Sequence, residues 1–103
     1  MNPYYGMNGE PITQTEWIAL LGDIEAKRIA WTDLPGGVEV STVWLGLDHN
    51  FGFSGPPLIF ETMIFGGGDD LDGRCWRWPN RHAALAGHDQ AVELARDAVA
   101  RRR

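Results

Sequence analysis

The chain has 103 residues, room for one compact core but not two, and 44% hydrophobic with 22% charged residues is the composition of a folded protein. Its net charge of −5 speaks against direct binding of nucleic-acid phosphates, and its single cysteine, Cys75, excludes an internal disulfide framework and every multi-cysteine zinc motif. No apolar run approaches the roughly 20 residues that span a bilayer, and the first residues lack the basic and apolar stretches of a signal peptide, so a cytoplasmic protein with no membrane contact is expected.

Residues 1–12 are rich in Gly, Asn, Pro and Tyr without a period and read as an irregular arm; residues 13–103 read as a single α+β domain. Thr13 stands three residues before Glu16, the spacing of a capping box, and Trp17, Leu20, Leu21 and Ile24 follow at helical intervals. Gly22 is a candidate terminator. Residues 28–32 turn β-like, Leu34-Pro35-Gly36-Gly37 has the chemistry of a reversal, and Val38 to Leu47 is the partner strand. A ten-residue link, DHNFGFSGPP, leads to a third strand, Leu58 to Phe65. The polar segment GGGDDLDG then precedes a short fourth strand, Arg74 to Trp78, which Pro79 stops. Asn80 caps a last helix with a stripe of Leu85, His88, Val92, Ala95 and Val99, with Ala84, Ala91 and Ala98 beside it, and Arg101 to Arg103 complement the negative end of its dipole. The expected fold is a four-stranded antiparallel sheet with an N-terminal and a C-terminal helix, in the order αββββα.

Both faces of the two central strands carry apolar side chains: the second strand shows Thr42, Trp44 and Gly46 on one side and Val43, Leu45 and Leu47 on the other, and the third shows Leu58, Phe60 and Ile64 on one side and Ile59, Met63 and Phe65 on the other. An antiparallel sheet with one wet face would alternate apolar with polar. Either the helices lie on opposite faces, or one face meets a second copy of the chain or a ligand, which makes a homo-oligomer the expected state.

Chemistry-bearing residues are few. Asp48 and His49 stand where a central strand leaves the sheet; the Asp can orient the His as a base or ligand grip, or cap the following turn through its amides. Glu61 is a carboxylate in an apolar strand and needs a partner, with Arg74 or Arg77 across the sheet or a ligand donor as the choices. His88 lies on the apolar stripe beside Gly87 and reads first as a satisfied core residue. Trp76 and Trp78 flank Arg77 with period 2, so one side of that strand is wholly aromatic, suited to burial or to stacking. The acidic run from Asp69 to Asp72 lacks the ligand alternation and closing Glu of a calcium loop, and no cofactor or metal is expected. No catalytic signature of a serine hydrolase or zinc protease is present.

The run VSTVWLGLDHNFGFSGPPLIFETMIFGG, starting at Val40, together with the Ala86-Gly87-His88 step in the last helix, resembles a family of small proteins of tailed bacteriophages and prophages, especially those of actinobacteria. The resemblance covers about the C-terminal two-thirds of the chain. It departs from the family at Trp78-Pro79-Asn80, where a Tyr-Ser/Thr step is usual, and at Arg81-His82, where the helix start is usually more acidic. The family has no established activity, so the resemblance implies a phage-encoded protein acting inside the infected cell and no mechanism. The expected function is binding. Two versions arise: sequestration of a small nucleotide-like ligand near Asp48, His49, Asn50 and Arg74 with a tryptophan stack, and capture of a host protein through an apolar sheet face, with Trp44 as an outward residue. A small hydrolase would need Asp48, His49, Glu61 or His88 to converge on a cleft.

Overall fold

The structure, a computed structural model, describes residues 2–50 and 54–101. Seven elements follow in chain order: α1 (Gln14–Leu21), α2 (Ile24–Lys27), β1 (Arg28–Leu34), β2 (Val38–Trp44), β3 (Phe60–Phe65), β4 (Cys75–Trp78) and α3 (Arg81–Ala100). The strands form one antiparallel meander in the order β1-β2-β3-β4, so the expected α+β architecture is the observed one.

Local chemistry sets the helix boundaries. Thr13 accepts the Glu16 amide while the Glu16 carboxylate reaches back to the Thr13 amide, a complete capping box. Asp23 caps α2, a four-residue helix too short for any apolar period to announce it. Asn80 accepts the Ala83 amide at 2.8 Å and opens α3. Asn80→Ala is expected to lower stability by about 1 kcal/mol, the usual worth of such a cap. Urea denaturation measures this, and an unchanged midpoint would show that the cap is idle.

Alternation divides the sheet. Leu34, Val38, Val40, Thr42, Trp44, Phe60, Thr62 and Ile64 are buried and point to one side, hereafter the inner face. Two apolar clusters lie there. One joins Leu34, Val38, Val40, Ile64 and Leu71 to Ala91, Val92, Ala95 and Ala98 of α3; the other joins Trp44, Ile59, Phe60 and Ala84 to Tyr5, Met7, Ile12, Trp17 and Leu21. The irregular arm is thus part of the second cluster, pinned by bridges from Tyr4 to Leu47 and from Tyr5 to Pro11. Since Trp17 and Leu21 pack on the same cluster as Ala84, α1 and α3 share the inner face. Placement of the helices on opposite faces is therefore not what the chain does.

Three expectations need correction. The second strand ends at Trp44 rather than Leu47, because Gly46 takes φ 69° and breaks the extended run. The third begins at Phe60, although the Ile59 amide still reaches the Trp78 carbonyl. In α3 the buried stripe is small: Ala84, Gly87, His88, Ala91, Val92, Ala95 and Ala98, with Leu85 exposed. The reason for the last is the bulk of Trp78. A side chain on Gly87 would meet Trp78 Cζ2 at 2.1 Å, so the helix comes close only along its smallest residues.

Candidate functional site

The inner face carries one polar row between its two apolar clusters. His88 Nε2 lies 2.9 Å from Thr32 Oγ1, and His88 Nδ1 lies 2.8 Å from Thr42 Oγ1. Thr42 and Thr62 share a hydrogen bond of 2.6 Å, and the Trp78 indole N–H donates to Thr62 Oγ1 at 3.0 Å. Burial lowers the pKa of His88, with Asp89 pulling weakly the other way. The row therefore joins β1, α3, β2, β3 and β4 by side chains of fixed spacing. It is a register lock in the core, and His88 is the satisfied core histidine that its place on the apolar stripe suggests.

The other side of the sheet, the outer face, has no helix packed on it among the described residues. Register builds it in three rows: Asp33, Glu39 and Phe65; Trp31, Ser41, Met63 and Cys75; Arg28, Val43, Glu61 and Arg77. An irregularity between Arg28 and Ala30 lets Arg28 share this face while Ile29 joins the inner cluster. The Arg28 guanidinium sits 3.6 Å from the Trp31 ring centroid, and the Trp31 indole N–H donates to Asp33 at 3.0 Å, so the ring is held across β1. Trp31 and Phe65 are 44% and 46% exposed. Glu61 pairs with Arg77 at 3.1 Å, which selects Arg77 over Arg74 as the partner of this carboxylate. The two are directly opposite in the ladder, whereas Arg74 precedes β4, beyond the Met63–Cys75 pair.

His49, whose amide donates to the Leu58 carbonyl at 2.9 Å, feels the charges at this end of the outer face. Its pKa is lowered first by burial and then by the Arg77 guanidinium, against the opposing pull of Glu61 and Asp48. Asp48 serves the backbone, since its Oδ1 accepts the Asn50 amide at 2.7 Å and the Leu58 amide at 3.0 Å and so closes the base of the link between β2 and β3. The Asn50 side chain donates to the carbonyls of Ser54 and Pro56 and holds the same link from within. Phe51, Gly52 and Phe53 lie outside the described residues.

No known protein family, curated protein or solved structure matches the chain. The geometry alone sorts the candidates. Glu61 and Arg77 come together and their charges act on His49; His88 lies on the inner face, bonded to Thr32 and Thr42, and does not join them. Trp44 is 1% exposed and its indole N–H donates to the Tyr5 carbonyl, so it is a core residue and not an outward one. Trp76 and Trp78 also face α3, with Arg77 turned away. A tryptophan stack beside Asp48 and Arg74 is therefore not assembled. Trp31 and Arg28, absent from the expected site, prove to be an exposed aromatic and its cation; their spacing across an irregular step hides the fact that they share a face. No group of three or more potential metal ligands occurs among the described residues, and no described helix is long and apolar enough to cross a membrane.

Proposed function

We propose that this chain is a phage-encoded binding protein that acts inside the host cell by engaging another protein through the outer face of its sheet. The observation that carries this reading is a sheet with one face closed by α1 and α3 and the other presenting Trp31, Val43, Met63 and Phe65 beside a fixed ion pair. Aromatic anchors with an arginine among them are the side chains that dominate protein-binding surfaces. The phage setting rests on the resemblance of residues 40–67 and the Ala86-Gly87-His88 step alone. Sequestration of a nucleotide-like ligand is less well supported, because four of the five tryptophans the stack could draw on, Trp17, Trp44, Trp76 and Trp78, pack into the core. A hydrolase is also less well supported, since Asp48 is engaged by two amides and Glu61 by Arg77.

The test is affinity capture from the expressing host, followed by native and denaturing mass spectrometry. The expected result is a protein partner lost with Trp31→Asp and with Phe65→Asp but retained with Leu85→Asp, an exposed control on α3. A partner that survives both face variants would overturn the reading, and a released small molecule in its place would favour ligand sequestration.

A further inference from the structure

The outer face has a charge layout that complements itself. Its acidic end holds Asp33 and Glu39; its other end holds Arg28, together with Arg77 neutralised by Glu61; the row between is Trp31, Ser41, Met63 and Cys75. Two copies stacked face to face can be related by a two-fold axis running across the strands or by one running along them. The axis along the strands lays β1 over β4 of the other copy and sets Arg28 against Arg77. The axis across the strands lays each strand over its own mate in reverse. It places Asp33 against Arg28 twice, brings Glu39 beside Val43 and next to Arg28, and seats Phe65 over the Glu61–Arg77 pair, where a guanidinium favours an aromatic ring. Trp31, Met63 and Cys75 then face their own counterparts across the axis.

We infer that, when no other partner is bound, the outer face is covered by a second copy of this chain in that arrangement. This deepens the proposed protein-binding role of the same face and rests on it. The size of the face sets the strength. Three rows along the strands and four strands across give a flat footprint of roughly 300 Å² per copy from standard strand spacings. Stable interfaces bury about 800 Å² per partner, so this pairing is expected to be weak, with a dissociation constant in the micromolar range or above. A weak pair shields Trp31 and Phe65 and gives way by mass action to any partner that covers more surface.

Sedimentation equilibrium from micromolar to several hundred micromolar chain tests the inference. The expected result is a reversible rise from the 11.5 kDa monomer toward twice that mass. Arg28→Asp is expected to raise the dissociation constant roughly tenfold or more, because it sets like charges face to face, and adding Asp33→Arg to it is expected to restore pairing. Both positions are exposed, so circular dichroism should show the fold unchanged. A short bismaleimide is expected to link Cys75, the single cysteine, to its counterpart, and Met63→Arg to abolish the link. A chain that stays monomeric throughout, or a dimer indifferent to both the single and the double charge reversal, overturns the inference. The wider role of the face fails separately, when a captured partner survives both Trp31→Asp and Phe65→Asp.

Discussion

Gly46→Ala is expected to cost about 2–5 kcal/mol of stability, enough to remove a large share of what a domain of this size possesses. Two costs combine. Gly46 has φ 69°, a left-handed backbone that a side chain resists by about 1–2 kcal/mol. A methyl group there would also meet Trp44 Cζ2 at 2.2 Å and Trp17 Cδ1 at 2.6 Å, both ring atoms in the second apolar cluster. Neither ring can move freely: the Trp17 indole N–H donates to the Leu45 carbonyl at 2.9 Å and that of Trp44 to the Tyr5 carbonyl at 3.1 Å. Overpacking of this kind costs about 1–3 kcal/mol. Because the Gly46 carbonyl also accepts the Tyr5 amide at 2.8 Å, the arm should loosen with the ring pair. Urea denaturation of Gly46→Ala beside wild type gives the answer, with near-ultraviolet dichroism reporting the tryptophans. A loss below about 1 kcal/mol would mean that the neighbouring rings yield more easily than close packing allows.

The same residue shows where sequence reading stops. STVWLGL alternates well enough to suggest a strand through Leu47, and nothing in that pattern says that Gly46 turns the chain so that Trp17 can lie on it. Short-range signals carry over well: the Thr13 and Asn80 caps, the Pro35-Gly36-Gly37 reversal and the Trp76/Trp78 alternation depend on neighbours within a few residues. What fails depends on distant partners. Leu85 fits the helical period as well as Ala84 does, but only the small residues fit beneath Trp78 and the strands. Leu71 sits in a polar segment, yet it is 1% exposed and plugs the first cluster. At the candidate site, Glu61 and its need for a cation are legible, and the choice of Arg77 becomes legible only with the β3–β4 register. Trp31 escapes notice because its cation, Arg28, lies across an irregular step that no periodicity reveals.

The polar row around His88 yields the prediction with the clearest sign. The Trp78 N–H can only donate, so Thr62 accepts from it and has its own proton left to give. If Thr62 donates to Thr42, Thr42 donates to His88 Nδ1, and the ring carries its proton on Nε2 and donates to Thr32. In the opposite sense Thr62 would accept twice and its proton would lack an acceptor within the row. The neutral Nε2–H ring is thus the form the row selects, and protonating Nδ1 would reverse Thr42 and strand the Thr62 proton. This agrees with a His88 pKa below its ordinary 6.5. Between that lowered value and 6.5 the unfolded chain binds a proton that the folded chain refuses. Stability is therefore full above pH 6.5 and declines as pH falls through that window, with His49 adding to the slope in the same sense. Unfolding free energies across this range, for wild type and His88→Gln, should show a shallower decline in the variant; identical slopes would mean that His88 does not titrate with folding. Thr42→Val, which leaves both Nδ1 and the Thr62 proton unpaired, is expected to cost about 1–3 kcal/mol for each. Heteronuclear NMR of the imidazole nitrogens checks the tautomer directly, and a proton found on Nδ1 at neutral pH would reverse the direction assigned to the whole row.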